Sequence, residues 1–79
     1  MKMVCISDSR DIAVGLRLAG VQSFIIRDKN LIIEKIKELS KDEEVGIINV
    51  TKNVYEIAKA ELNEISDTQD LPLIVQIPE

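Results

Sequence analysis

Apolar and polar positions follow one another along the chain in blocks that differ in period. Four short apolar runs are separated by three stretches in which apolar residues recur every three or four positions. All runs except the second are almost continuously aliphatic, as in strands of a parallel sheet that are buried on both faces. The pattern predicts the order β-α-β-α-β-α-β and an α/β fold, a parallel sheet with helices on both faces. The predicted strands are Met3–Ile6, Ser23–Ile26, Val45–Val50 and Leu71–Ile77.

Residues that favour helix ends stand at the boundaries of the predicted helices. Gly20 follows the first helix and can take the left-handed conformation that often ends a helix. Three positions carry side chains able to accept a hydrogen bond from the free N–H groups of a helix start, which supports this division of the chain. These positions are Asp8 or Ser9, Asp28 or Asn30, and Thr51.

The first predicted helix has two apolar stripes. One includes Ile12 and faces the predicted core, whereas Val14 and Leu18, with Arg17 beside them, lie on the side away from it. Gly15 stands in the middle of this helix, where a glycine often marks close packing of another element. The second stripe indicates either a contact with a partner, cover by the domain itself, or two exposed apolar residues without a role.

Composition narrows the classes of function. The 79 residues fit a single domain, residues 1–79. With no His and one Cys, the chain offers no histidine chemistry, no metal cluster and no internal disulfide, which fits a reducing, cytosolic setting. No apolar run approaches the roughly 20 residues of a membrane-spanning helix, and the start has no signal-peptide pattern. A net charge of −4 argues against a general nucleic-acid binder.

The loops after the predicted strands carry little chemistry. The segment SDSRD lacks the glycines of a phosphate-binding loop. Phosphocarrier domains of sugar transport systems resemble this layout, with a reactive Cys after the first strand, but here Ile6 follows Cys5, so we expect the thiol inside the strand. A phospho-accepting receiver needs an Asp at the end of the third strand, which here ends in Thr51, and Asp8 is then best interpreted as a helix cap. No catalytic, cofactor-binding or metal-binding residue is predicted, and the domain is expected to act through its surface.

Four segments, in this order and spacing, resemble the F subunit of the archaeal-type and vacuolar-type rotary ATPases. They are MVCISD, DIAVGLRLAGV, EVGIINVT and LPLIVQIP. The most specific is GLRLAGV, which covers Gly15–Val21. The resemblance runs from Met1 to Pro78 and implies a flavodoxin-like or receiver-like sheet with strand order 2-1-3-4.

The resemblance also implies a function. Members of this family are non-catalytic subunits of the central stalk, where they sit with the coiled-coil D subunit inside the ring of A and B subunits. They contribute to coupling ATP hydrolysis or synthesis on that ring to proton or sodium transport. We therefore expect a peripheral, cytoplasmic protein with no cofactor, no nucleic-acid partner and no direct membrane insertion. A degenerate receiver-like regulatory domain, or a small Cys phosphocarrier domain, remains the alternative.

The second stripe of the first helix lies inside the best-matching segment. Our hypothesis is that Arg10, Val14, Arg17 and Leu18 contribute to the contact with the coiled coil. The alternative is that this segment serves packing, with Gly15 close to the sheet.

Three crossover helices leave one place on a four-stranded sheet without cover. The resemblance implies a flexible C-terminal segment that follows the last strand, and we expect the chain to be a shortened form or a naturally short member that lacks it.

Overall fold

A computed structural model describes residues 1–78, and its elements follow the predicted order with one addition. Four parallel strands form one sheet in the order β2-β1-β3-β4, which confirms the predicted α/β fold and the strand order. The elements are β1 (Lys2–Ser7), α1 (Arg10–Leu18), β2 (Gln22–Ile25), α2 (Lys29–Ser40), β3 (Val45–Thr51), α3 (Lys52–Ile57), α4 (Lys59–Thr68) and β4 (Leu73–Ile77).

One face of the sheet carries the hydrophobic core. The register pairs Val4 with Ile48 and Ile6 with Val50, and all four side chains are completely buried on this face. Helices α2, α3 and α4 cover it with aliphatic side chains four residues apart, as expected for amphipathic helices. These are Ile32, Ile36, Leu39, Val54, Ala58 and Leu62. The core of this small domain is therefore almost entirely on one side of the sheet.

The other face is covered by α1, which packs on β1 and β2. Beneath this helix the sheet presents the small side chains of Cys5, Ser7 and Ser23, all of them buried. Ala13 is the buried residue of α1 itself. Small residues on both sides of the contact let the helix lie close to the strands.

Helix ends follow the prediction in part. Ser9 and Asp28 each accept a hydrogen bond from the backbone N–H three residues later, and Gly20 has the predicted positive φ of 90°. Thr51 stands at the N-cap position of α3 but makes no capping bond. Its hydroxyl donates instead to Asp8. The interpretation of Asp8 and Thr51 as caps is therefore wrong, because these two side chains bond to each other.

The third predicted helix is divided into α3 and α4 at Ala58, whose φ is −121° and ψ 27°. Alanine is the best helix former, so the local sequence gives no sign of this break. Val54, Ala58 and Leu62 nevertheless all lie buried against the sheet. We attribute the break to this packing, which outweighs a weak local propensity. Ile57, predicted to belong to the apolar stripe, is more than one-third exposed.

The fourth strand differs most from its prediction. It begins at Leu73, after a cis peptide bond between Leu71 and Pro72, rather than at Leu71. The prediction that this run is buried on both faces is wrong, since no residue of β4 is fully buried. As an edge strand, β4 pairs with β3 alone, and among residues 1–78 only α3 and α4 pack extensively on it.

Candidate protein interface

The predicted interface residues lie on the outer side of α1. Val14 is 41% exposed and Leu18 is 86% exposed, so this apolar stripe points away from the sheet. Arg10, at the first position of α1, is exposed beside them. The structure thus brings Arg10, Val14 and Leu18 together on one accessible surface, and their role in a contact stays a prediction.

Arg17, the fourth predicted interface residue, has an internal role. Its Nε and Nη2 donate to the carbonyl oxygen of Ser23 in β2, at 3.1 and 2.6 Å. The Ile26 N–H bonds to β1 at Ser7, so along β2 every second backbone group faces β1, and those of Ser23 face outward. Arg17 therefore occupies part of the free edge of β2, which would otherwise offer bonding groups to another strand.

A second accessible apolar surface lies on the α1 side of the sheet, over β3 and β4. The strand register places five apolar side chains there together, a group that we call the open half-face. They are Met3, Ile47, Leu73, Val75 and Ile77. Three of them are 43, 53 and 41% exposed (Met3, Leu73 and Val75). The count of helices had predicted an uncovered place on the sheet, but not its residues.

The flank of α1 beside the open half-face is bare. Asp11, Gly15 and Ala19 recur every four residues and share one side of the helix. Arg17 is two residues from Gly15, about 200° around the helix, and it reaches toward β2. The Gly15 side therefore turns toward β3. A Cβ added to Gly15 would meet no atom within 4 Å, so the space beside it is empty.

Polar side chains meet where β1 and β3 end. The Asp8 carboxylate accepts hydrogen bonds from the Thr51 hydroxyl at 2.7 Å and from the Asn53 amide at 2.8 Å. These two bonds, that of Asn53 first, lower the pKa of Asp8 below its usual value. The cluster holds a stable carboxylate and ties two loops together. Thr51 stands where a receiver would carry its phospho-accepting Asp, so the arrangement lacks that acceptor.

Cys5 lies inside β1, as predicted, and is completely buried. Burial raises the pKa of its thiol, so at neutral pH it stays protonated and unreactive. This environment is the opposite of the one that a cysteine nucleophile requires.

In the part of the chain that the structure describes, no helix combines the length and apolar character needed to cross a bilayer. The strand order and the crossover helices define the class, a small α/β domain with receiver-like topology and an uncovered half-face. The chain belongs to the family described as ATP synthase (F/14-kDa) subunit, whose model matches residues 3–79.

Relatives in archaea have the same family name. The F subunit of the A-type ATP synthase of Thermococcus kodakarensis is 39% identical over 84 aligned residues, which cover 100% of this chain and 76% of that protein. Its counterpart from Pyrococcus abyssi is 37% identical over the same coverage. The counterpart from Methanocaldococcus jannaschii is 30% identical over 80 residues, again 100% of this chain and 76% of the relative.

Proposed function

We propose that this member of the ATP synthase family is a non-catalytic part of the central stalk that turns with the coiled-coil D subunit inside the A/B ring, on the cytoplasmic side of the membrane. In this role it contributes to coupling ATP hydrolysis or synthesis on the ring to the transport of protons or sodium ions. The observation that carries the proposal is the family membership over residues 3–79.

Two features of the domain support a docking role over chemistry. The buried, protonated thiol of Cys5 disfavours the phosphocarrier alternative. Thr51 in place of an acidic acceptor disfavours a working receiver. What the domain offers instead is exposed apolar surface at Val14 and Leu18, beside the positive charges of Arg10 and Arg17. Surface of this kind marks sites of protein contact.

Recovery of the native complex tests the proposal directly. The tagged chain is expressed in its native cell, purified under mild conditions and its partners are identified by mass spectrometry. We expect the A, B and D subunits of the ATPase. Recovery of a histidine kinase or a sugar permease instead, or labelling of the chain by a phosphodonor, would overturn the proposal.

The outer stripe of α1 has its own test. Replacing Val14 and Leu18 together by Asp should abolish copurification with the D subunit, because it puts two charges into an apolar contact. Both side chains are substantially exposed, so the circular dichroism of the isolated chain should not change. The control is Leu31→Asp on α2, a leucine exposed on the far face of the sheet. If binding persists in the double variant, the outer stripe is not part of the contact.

A further inference from the structure

We propose that the open half-face, Met3, Ile47, Leu73, Val75 and Ile77, is the seat of one α-helix of the partner coiled coil. The partner helix would lie along β3 and β4 next to α1, and carry an aliphatic stripe flanked by Lys or Arg. This inference rests on the proposed function, because it assigns the place on the domain where that partner binds.

The dimensions of the open half-face fit one helix. Neighbouring strands are about 4.8 Å apart, so two strands make a strip about 10 Å wide, the diameter of a helix with its side chains. Helix α1 already fills the matching strip over β1 and β2. The five residues of β4 extend over about 17 Å, the length of a helix of three turns.

The flank of α1 is shaped for a second helix. Gly15 and Ala19 present no side chain larger than a methyl group toward the open half-face, and the space next to Gly15 is empty. Helices approach to about 8 Å where the contact residues are small. The glycine, which costs helix stability at this position, has a reason to be there if another helix packs against it.

Charge indicates the chemistry of the partner. The open half-face contains no charged side chain, and Asp11 lies on the flank of α1 beside it. Arg10 and Arg17 are displaced toward the opposite side of the helix, and Arg17 is held there by Ser23. A partner helix with basic residues beside its aliphatic stripe would complement this surface.

A second copy of the chain fits less well. A standard interface uses about 20–30 residues on each side, whereas the open half-face has five apolar residues. It continues, however, across the bare flank of α1 to Val14 and Leu18. A coiled coil whose helices are about 8–10 Å apart can place one helix in the open half-face and the other over that outer stripe.

Two leucines make a matched pair for the test. Leu73 in the open half-face and Leu31 on α2 are each 53% exposed, but they lie on opposite faces of the sheet. The dissociation constant is measured with the purified coiled-coil subunit of the same complex. Leu73→Glu should weaken binding by about tenfold to a hundredfold, the size of a hot-spot loss. Leu31→Glu should change it by less than about twofold.

A third variant separates binding from folding. Gly15→Leu has room for its side chain in the free domain and improves helix propensity, so the thermal midpoint should stay equal or rise. The same side chain would project into the space meant for the partner helix. We expect it to weaken binding by at least about tenfold.

The possible outcomes differ in what they overturn. If the wild-type chain binds the coiled coil and neither Leu73→Glu nor Gly15→Leu weakens binding, the partner contacts another surface and only this inference fails. If the wild-type chain does not bind at all, the proposed function fails with it. If light scattering shows a dimer of the free chain that Leu73→Glu dissociates, a second copy occupies the half-face and the inference is wrong.

Discussion

The two faces of the sheet are built from different materials and for different ends. On the core face, Ile48 and its neighbours are aliphatic, completely buried and covered by three helices. On the other face, α1 covers small side chains over half of the sheet, and Leu73 and Val75 are left accessible on the other half. The comparison teaches that this domain concentrates its stability on one face and leaves the other available for contact.

The largest expected effect comes from shortening one side chain on each face. Ile48→Ala removes completely buried methyl groups from the core and should lower the free energy of unfolding by about 2–5 kcal/mol. Leu73→Ala on the open half-face should cost less than about 1 kcal/mol. Urea denaturation measures both. Since the first variant can unfold a domain this small, Ile48→Val, with an expected loss of about 0.5–1.5 kcal/mol, provides a folded comparison. Equal losses for Ile48→Val and Leu73→Ala would contradict the division between the faces.

The next effect concerns the polar cluster at the carboxyl ends of β1 and β3. Asp8→Ala leaves the buried Thr51 hydroxyl without its acceptor and should cost about 1–3 kcal/mol at pH 7. The folded-state pKa of Asp8 is lowered, so its stabilising effect is present above the unfolded-state pKa of about 3.9 and is lost as pH falls through the folded-state value.

A double-mutant cycle isolates the contribution of this bond. Combining Asp8→Ala with Thr51→Val, in chemical denaturation at pH 7 and again below pH 3, should give a coupling energy of about 1 kcal/mol at the higher pH only. A coupling energy that does not change with pH would show that the carboxylate charge has no part in it.

A smaller effect is expected for the residue that fastens α1 to the edge of the sheet. Arg17→Ala removes two donors to the Ser23 carbonyl and should lower stability by about 0.5–1.5 kcal/mol. Arg10→Ala, at an exposed neighbour, should change the thermal midpoint little. If the two variants behave alike in the isolated domain, the internal role of Arg17 is wrong and its side chain is free for a partner.

The smallest effect has the opposite sign. Gly15→Ala should stabilise the isolated chain by up to about 1 kcal/mol, because alanine favours the helix and its methyl group meets no neighbour. For a domain of this size, that corresponds to a rise of about 4–8 °C in the thermal midpoint. A drop in the midpoint would mean that α1 lies closer to the rest of the domain than the structure shows.

Much of the fold was open to prediction because strands and helices differ in the period of their apolar residues. The runs at β1 and β3 predicted central strands, and Ser9, Asp28 and Gly20 marked helix ends correctly. The order of strands, however, followed from the resemblance to a family and not from the pattern. The break at Ala58 could not be predicted, since only its packing against the sheet distinguishes it from a helical alanine.

The candidate interface was predicted in outline. Helical periodicity correctly placed Val14 and Leu18 on the outside of α1, where they are exposed. The same periodicity could not show that Arg17 bonds to Ser23, because that contact depends on where β2 lies. Leu73 and Val75 were missed because a continuous apolar run is typical of a strand covered on both sides. Counting crossovers against strands gave the one available sign that such cover was incomplete.

The side-by-side position of β1 and β3 has a consequence for how quickly the chain can fold. These central strands are neighbours in the sheet, yet Asp8 and Thr51, which join their ends, are separated by 43 positions in sequence. Contacts of such range slow the search for the native topology, because the entropy of closing a long loop is lost before any bond forms. If this bond forms only after the strands have paired, its loss will appear mainly as faster unfolding, with the rate of folding nearly unchanged.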